Sequence, residues 1–298
     1  RGNQAFWLLN RGISTGRYLM IVNNFSANVR PAAVAGMFYP GNEKELRKTV
    51  QKYLQSAGVV ESELKITLDK ISAIRMLIVP HAGYIYSGKT AAIAYQLLHQ
   101  FKNQIRRVFL FGPAHRVCLN GGALPEADCF ETPLGLVYLD KELMEKILGD
   151  YSWININDHA HSEEHCLEVQ LPFLQETLNE FKIVPMVVGD TDSDQLAQMI
   201  LKYSKDDQTL IVISTDLSHY NDYKTSRELD SRTAMAIESL SPELLSQEDA
   251  CGLYPIRGAL LAALKRTWQV HRLDLCNSGD TAGDCTRVVG YGAWMVTS

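Results

Sequence analysis

No uninterrupted apolar run in this chain reaches the roughly 18 residues that a membrane-crossing helix needs, so no span is expected. Proline and glycine are sparse, at 10 and 20 among 298 residues, which argues against collagen-like and low-complexity chains. Lys and Arg form no run, and 29 of them face 34 Asp and Glu, for a net charge of -5. The basic footprint of a nucleic-acid binder is therefore missing. Cysteine is present but unpatterned: Cys118, Cys129, Cys166, Cys251, Cys276 and Cys285 form no C-x-x-C pair. Such thiols read as free cysteines in a reducing, cytoplasmic setting. Acidic residues are absent from residues 1–42, where Arg1, Arg11, Arg17 and Arg30 occur and Met20 lies inside the segment. A transit peptide has this composition, but we read residues 1–29 as an N-terminal extension outside the fold and 30–298 as the folded domain.

What the chain does have is apolar residues, 46% of the total, enough to build a large core without staples. Short apolar runs at Met76–Pro80, Val108–Phe111, Ile183–Val188, Thr209–Ser214 and Val288–Val296 read as buried strands. Between them, residues 43–54, 87–101, 141–148, 194–203, 226–240 and 257–268 have helical character, with Ser87 near an N-cap. Continuous apolar strands alternating with helices predict a single three-layer αβα domain with a largely parallel or mixed central sheet.

Three of these strands run directly into polar residues. MLIVP continues as His81-Ala82-Gly83-Tyr84-Ile85-Tyr86, VFLF as Gly112-Pro113-Ala114-His115, and TLIVIS as Thr215-Asp216-Leu217-Ser218-His219. Ligands of open α/β sheets bind beyond the carboxyl ends of the strands, so His81, His115, Asp216 and His219 are expected to share one crevice. Imidazoles with an anionic ligand suit Fe(II), copper or zinc. Asp216 and His219 also suit an acid–base pair, and the residues alone do not separate ligands from proton carriers. Nothing in the motifs calls for a nucleotide cofactor.

Two further clusters are less specific. His161 to His165 fits H-x-x-E-H, the inverted zinc-peptidase pattern, but Pro172 interrupts any long helix and no downstream carboxylate completes the ligand set. We favour His165 alone reaching the crevice. Cys251-Gly252 precedes a turn that opens a helix, a setting that makes a cysteine a better thiolate ligand, although a buried structural thiol fits the spacing equally well. Arg116 and Arg257 are the cations expected near a crevice that takes a charged ligand.

The ordered set G-M-F-Y-P (Gly36 to Pro40), P-H-A-G-Y-x-Y-S-G (Pro80 to Gly88), G-P-A-H (Gly112 to His115), E-H-C-L-E-V-Q-L-P (Glu164 to Pro172), S-T-D-L-S-H (Ser214 to His219), C-G-x-x-P-I (Cys251 to Ile256) and G-Y-G-A (Gly290 to Ala293) resembles the Memo family. The resemblance runs from about Arg30 to the C-terminus. It implies a fold similar to the class III extradiol (LigB-type) non-haem iron dioxygenases, with the site in a surface vestibule. By motif, it implies His81, His115 and Cys251 as metal ligands for Fe(II) or copper, with zinc also accommodated. His165, Asp216 and His219 become the catalytic, proton-handling residues. Phe38 and Tyr86 become aromatic lining, and Tyr84 beside Tyr86 is expected to stack with it on a planar substrate, core packing being the alternative for either tyrosine. A thiolate in place of the dioxygenase carboxylate departs from that pattern and favours softer metals. The resemblance further implies a small-molecule or phosphotyrosine-peptide ligand, and in prokaryotes a pathway link to an AMMECR-like protein and a radical S-adenosylmethionine enzyme.

Overall fold

The computed structural model describes residues 27–63, 71 and 73–298. Most of the predicted extension, residues 1–26, lies outside them. The boundary read at residue 30 falls inside the first strand, β1 (Val29–Arg30), and the amide of Asn28 already donates to the Asp128 carboxylate at 2.9 Å. The chain continues through α1 (Glu43–Glu63), β2 (Ile74–Val79), α2 (Tyr84–Gln96), β3 (Arg107–Pro113), β4 (Gly122–Leu124), β5 (Cys129–Thr132) and β6 (Gly135–Tyr138). Then come α3 (Lys141–Asp150), β7 (Ile154–Ile156), α4 (Asp158–Ser162), α5 (His165–Glu168), α6 (Leu171–Thr177), β8 (Lys182–Val188) and α7 (Ser193–Tyr203). The last third comprises β9 (Thr209–Ser214), β10 (His219–Asn221), α8 (Tyr223–Glu238), α9 (Leu253–Lys265), β11 (Gln269–Asn277), α10 (Ser278–Ala282) and β12 (Val288–Thr297).

The apolar runs build the middle of a nine-stranded mixed sheet in which β2, β9, β3 and β8 lie side by side and parallel. Every side chain of β9 is buried, as a strand covered on both faces requires. β12 pairs antiparallel with β2 and β11, β4 pairs antiparallel with β8, and β7 follows β4. A separate three-stranded sheet, in the order β1-β5-β6, holds the N-terminal strand. Helices α1, α2 and α6 pack against one another, and α7 packs against α9. The fold is thus an αβα domain with a mixed central sheet. No helix among the described residues is long and apolar enough to cross a membrane.

The sequence pattern misplaces some helix starts. α2 begins at Tyr84, not Ser87: Gly83 is its cap, and Ser87 lies one turn in, donating to the Ala82 carbonyl at 2.9 Å. α9 begins at Leu253 because Pro255 is tolerated in a first helical turn. β4, β7, β10, β11 and the small sheet are short or polar-faced and left no apolar run to detect.

A buried ion pair ties the N-terminal segment to the site. The Arg30 guanidinium meets the Glu168 carboxylate, with side chains 6% and 0% exposed. Glu168 also accepts from the amides of Ala33 (2.8 Å) and Val34 (3.0 Å) and from the Tyr39 hydroxyl (2.6 Å). Arg30 in turn donates to the carbonyls of His161 and Glu164 at 2.9 and 2.8 Å. Removing one partner leaves a buried charge uncompensated. Glu168→Gln should therefore cost about 3–5 kcal/mol of stability in urea denaturation, with an unchanged denaturant slope.

Candidate metal centre and vestibule

Because β2, β9 and β3 are adjacent and parallel, their carboxyl ends deliver His81, Asp216 and His115 to one edge of the sheet. The His81 amide donates to Asp216 Oδ1 at 2.7 Å, locking the first two segments together. His81 Nδ1 lies 3.0 Å from Ser214 Oγ. That hydroxyl gives its own proton to the Cys166 carbonyl (2.6 Å) and accepts from Gln170 Nε2 (2.9 Å). It can only accept from His81, so Nδ1 carries the ring proton and Nε2 keeps its lone pair. Nε2 stands 3.2 Å from Cys251 Sγ.

Cys251 reaches this position through a close backbone contact. The Gly252 amide donates to Thr215 Oγ1 at 2.9 Å, and a Cβ on Gly252 would meet the Thr215 Cβ at 2.7 Å, so no larger residue fits without displacement. Burial, reinforced by the Asp216 charge, pushes the Cys251 thiol up to about 12. Burial and the nearby His115 hold His81 well below the usual imidazole range, neutral and fit to ligate.

His115 is anchored by Glu164. One carboxylate oxygen accepts from the His115 amide and the other from Nδ1, each at 2.8 Å, and the second also takes the Cys166 amide at 3.1 Å. The segment carrying Glu164 can approach β3 because Gly112 has no side chain; a Cβ there would fall 2.5 Å from Cys166 Sγ. Burial works to raise the Glu164 carboxyl, but the His115 ring and the amide donors outweigh it and hold it at about 2.

One donor atom each from His81, His115 and Cys251 lies within 4.8 Å of the others, and so do donor atoms of His115, Glu164 and His165. The 3.2 Å Nε2–Sγ separation approaches the roughly 3.5 Å expected of two ligands sharing an ion at 2.0–2.3 Å. Two imidazoles, that of His81 with a bare lone pair at Nε2, and a thiol fit a borderline or soft transition metal.

His165 covers this cluster. Its ring stacks on His115 at 4.7 Å, meets His81 edge-on at 5.3 Å and packs under Phe38 at 4.6 Å. Burial and the two neighbouring rings lower it to about 3. Its Nδ1 lies 3.3 Å from a Glu164 oxygen yet makes no hydrogen bond. Above it opens a vestibule of about 590 Å³ whose walls include Phe38, Tyr86, His165, Asp216, His219 and Arg287. Burial raises the Asp216 carboxyl even though the His81 and Ala82 amides and His219 and His165 favour its charge. Arg287 lies over the Tyr220 ring at 5.0 Å, at the rim.

Several expected residues sit elsewhere. Tyr84 is buried in the core: its hydroxyl donates to the Val169 carbonyl at 2.7 Å and its ring packs on Phe173, so it does not face a substrate. Arg257 donates to the carbonyls of Pro242 and Leu245, away from the vestibule, and Arg116 is exposed outside its lining. His161 is buried with Nε2 on the Ala123 carbonyl at 2.9 Å, which separates it from His165 and removes the peptidase reading. Sequence reasoning missed Glu164, Ser214, Gln170 and Arg287. An acidic residue beside His165 was the one available signal, for Glu164.

Fold and site together define an α/β protein with a histidine–cysteine donor cluster beneath an aromatic-walled vestibule. Residues 30–295 match the family model described as Memo-like protein, and the chain belongs to that family. It is 38% identical over 274 residues to a MEMO1 family protein of Aquifex aeolicus, covering 88% of this chain and 97% of that one. A MEMO1 family protein of Nitrosopumilus maritimus is 32% identical over 277 residues, covering 89% and 98%. The protein memo-1 homolog of Caenorhabditis elegans is 29% identical over 298 residues, covering 88% and 82%.

Glu164 also sets an acid dependence. Its folded pKa, about 2, is depressed from 4.5, so its contribution is present above pH 4.5 and is lost as pH falls through about 2. Urea midpoints measured between pH 7 and 2 should show that loss in the native chain, and Glu164→Gln should flatten that part of the curve.

Proposed function

We propose that this protein is a metal-dependent oxidoreductase whose Fe(II) or copper is held by His81, His115 and Cys251. The carrying observation is the convergence of these three donors, with His81 Nε2 unprotonated and facing the Cys251 sulfur. Bound there, the metal would supply electron transfer and activation of O2 or of a substrate oxygen. The chain's own groups bind and move protons. A cavity of about 590 Å³ is of small-molecule size, and Phe38 and Tyr86 offer ring faces to a planar, catechol-like substrate. His165, held neutral and lining the vestibule, would accept a proton from a substrate hydroxyl entering there through the ring nitrogen other than its buried Nδ1. Asp216 and His219 line the same space and complete the route for that proton toward solvent.

A second reading is favoured by Arg287. A guanidinium at the rim suits an anionic group, so the same vestibule would serve a metal-handling or phospho-ligand-binding protein without turnover.

Anaerobic titration with Fe(II), Cu(I) and Zn(II) tests the centre. One ion per chain should bind to the wild type, and His81→Ala and Cys251→Ser should each weaken binding at least tenfold. Binding indifferent to both changes would sink the metal assignment. Oxygen-dependent consumption of a catechol by the loaded protein decides for the oxidoreductase; saturable phosphate or phosphopeptide binding without turnover, weakened by Arg287→Ala, decides for the second reading.

A further inference from the structure

The two ligating imidazoles are backed by different groups. His115 gives its Nδ1 proton to a carboxylate, Glu164, whose side chain is 1% exposed and which also holds the His115 and Cys166 amides. His81 gives its Nδ1 proton to a hydroxyl, Ser214. The orientation of that hydroxyl is not free. Its proton is committed to the Cys166 carbonyl, and Gln170 donates to it while being held by the Pro80 carbonyl at 2.9 Å and the Tyr95 hydroxyl at 2.9 Å. A buried chain thus runs from Tyr95 through Gln170 and Ser214 to His81.

We propose that Glu164 and Ser214 are positioning residues that fix both imidazoles as Nδ1–H tautomers and make them unequal donors, His115 the stronger and His81 the weaker. The proposal rests on the metal-centre reading. A carboxylate accepting the distal N–H raises the basicity of the ligating nitrogen, whereas a neutral hydroxyl fixes the tautomer with little added charge. One consequence concerns stoichiometry. His115 Nδ1 is occupied by Glu164, so the neighbouring His115–Glu164–His165 group does not hold a second ion while the first is bound.

The tautomers are read directly by nitrogen NMR of histidine-labelled metal-free protein. Both rings should be Nδ1–H in the wild type, and Ser214→Ala should turn His81 into a tautomer mixture while leaving His115 unchanged. Glu164→Gln keeps an acceptor without the charge. It should weaken Zn(II) about 10–100-fold in chelator competition while the metal-free chain keeps its circular dichroism. A His115 ring protonated at Nε2, Zn(II) affinity of Glu164→Gln within twofold of wild type, a His81 tautomer indifferent to Ser214→Ala, or two ions per chain would each overturn the proposal. If the wild type binds no metal, the centre itself fails, while the tautomer measurement still decides whether Glu164 and Ser214 position the rings. Should Glu164→Gln not fold, Ser214→Ala and the wild-type tautomers still carry the test.

Discussion

The chemistry of this protein depends on one constraint, the common register of four parallel strands. Val79 of β2 stands opposite Ser214 of β9, Phe111 of β3 opposite Ile213, and Pro113 of β3 opposite Val188 of β8. Parallel strands in register end together, and the chain leaving β2, β9 and β3 there reaches His81, Asp216 and His115 within two residues. The hydrogen bond from the His81 amide to Asp216 is the direct product of that geometry. So is the pairing of the Leu217 amide with the Gly290 carbonyl, by which β12 supports the same loop.

The site beyond those ends is layered. Deepest lie His81 and Cys251, with His115 at their side; His165 and Asp216 form the next layer; Phe38, Tyr86, His219 and Arg287 reach the open vestibule. The deep layer is assembled without an unopposed formal charge. Burial keeps His81 neutral and Cys251 a thiol, and the carboxylates beside the cluster are met by donors: Glu164 by His115 and Cys166, Asp216 by the His81 amide. A metal bound there would replace the thiol proton with a cation, which compensates a buried thiolate far better than water-excluded protein can.

The Arg30–Glu168 pair links this assembly to the periphery. It fixes the G-M-F-Y-P segment against α5, and Phe38 thereby comes to rest on the His165 ring. Its full satisfaction by four donors explains how a glutamate with no solvent exposure is accommodated: Arg30, two amides and Tyr39 surround it, and Arg30 itself spans two further carbonyls.

Much of the architecture was legible because buried parallel strands leave continuous apolar runs, and β2, β3, β8, β9 and β12 have them. Strands with a wet face, such as β11, and strands of three residues, such as β4 and β7, leave no such trace. Residue type and position after a strand also sufficed to single out His81, His115 and Asp216, since local order determines which residue leaves each strand end. Other features belong to tertiary structure alone. Tyr84 and Tyr86 are two positions apart in one motif, yet the helix that starts at Tyr84 turns one into the core and the other toward the vestibule. Glu164 and Ser214 act through contacts 49 and 133 residues away in sequence, to His115 and His81. Periodicity reports which residues are apolar, and therefore which segments are buried; it carries no information on which buried polar groups meet, because those meetings are set by strand order and by the close approaches that Gly112 and Gly252 permit.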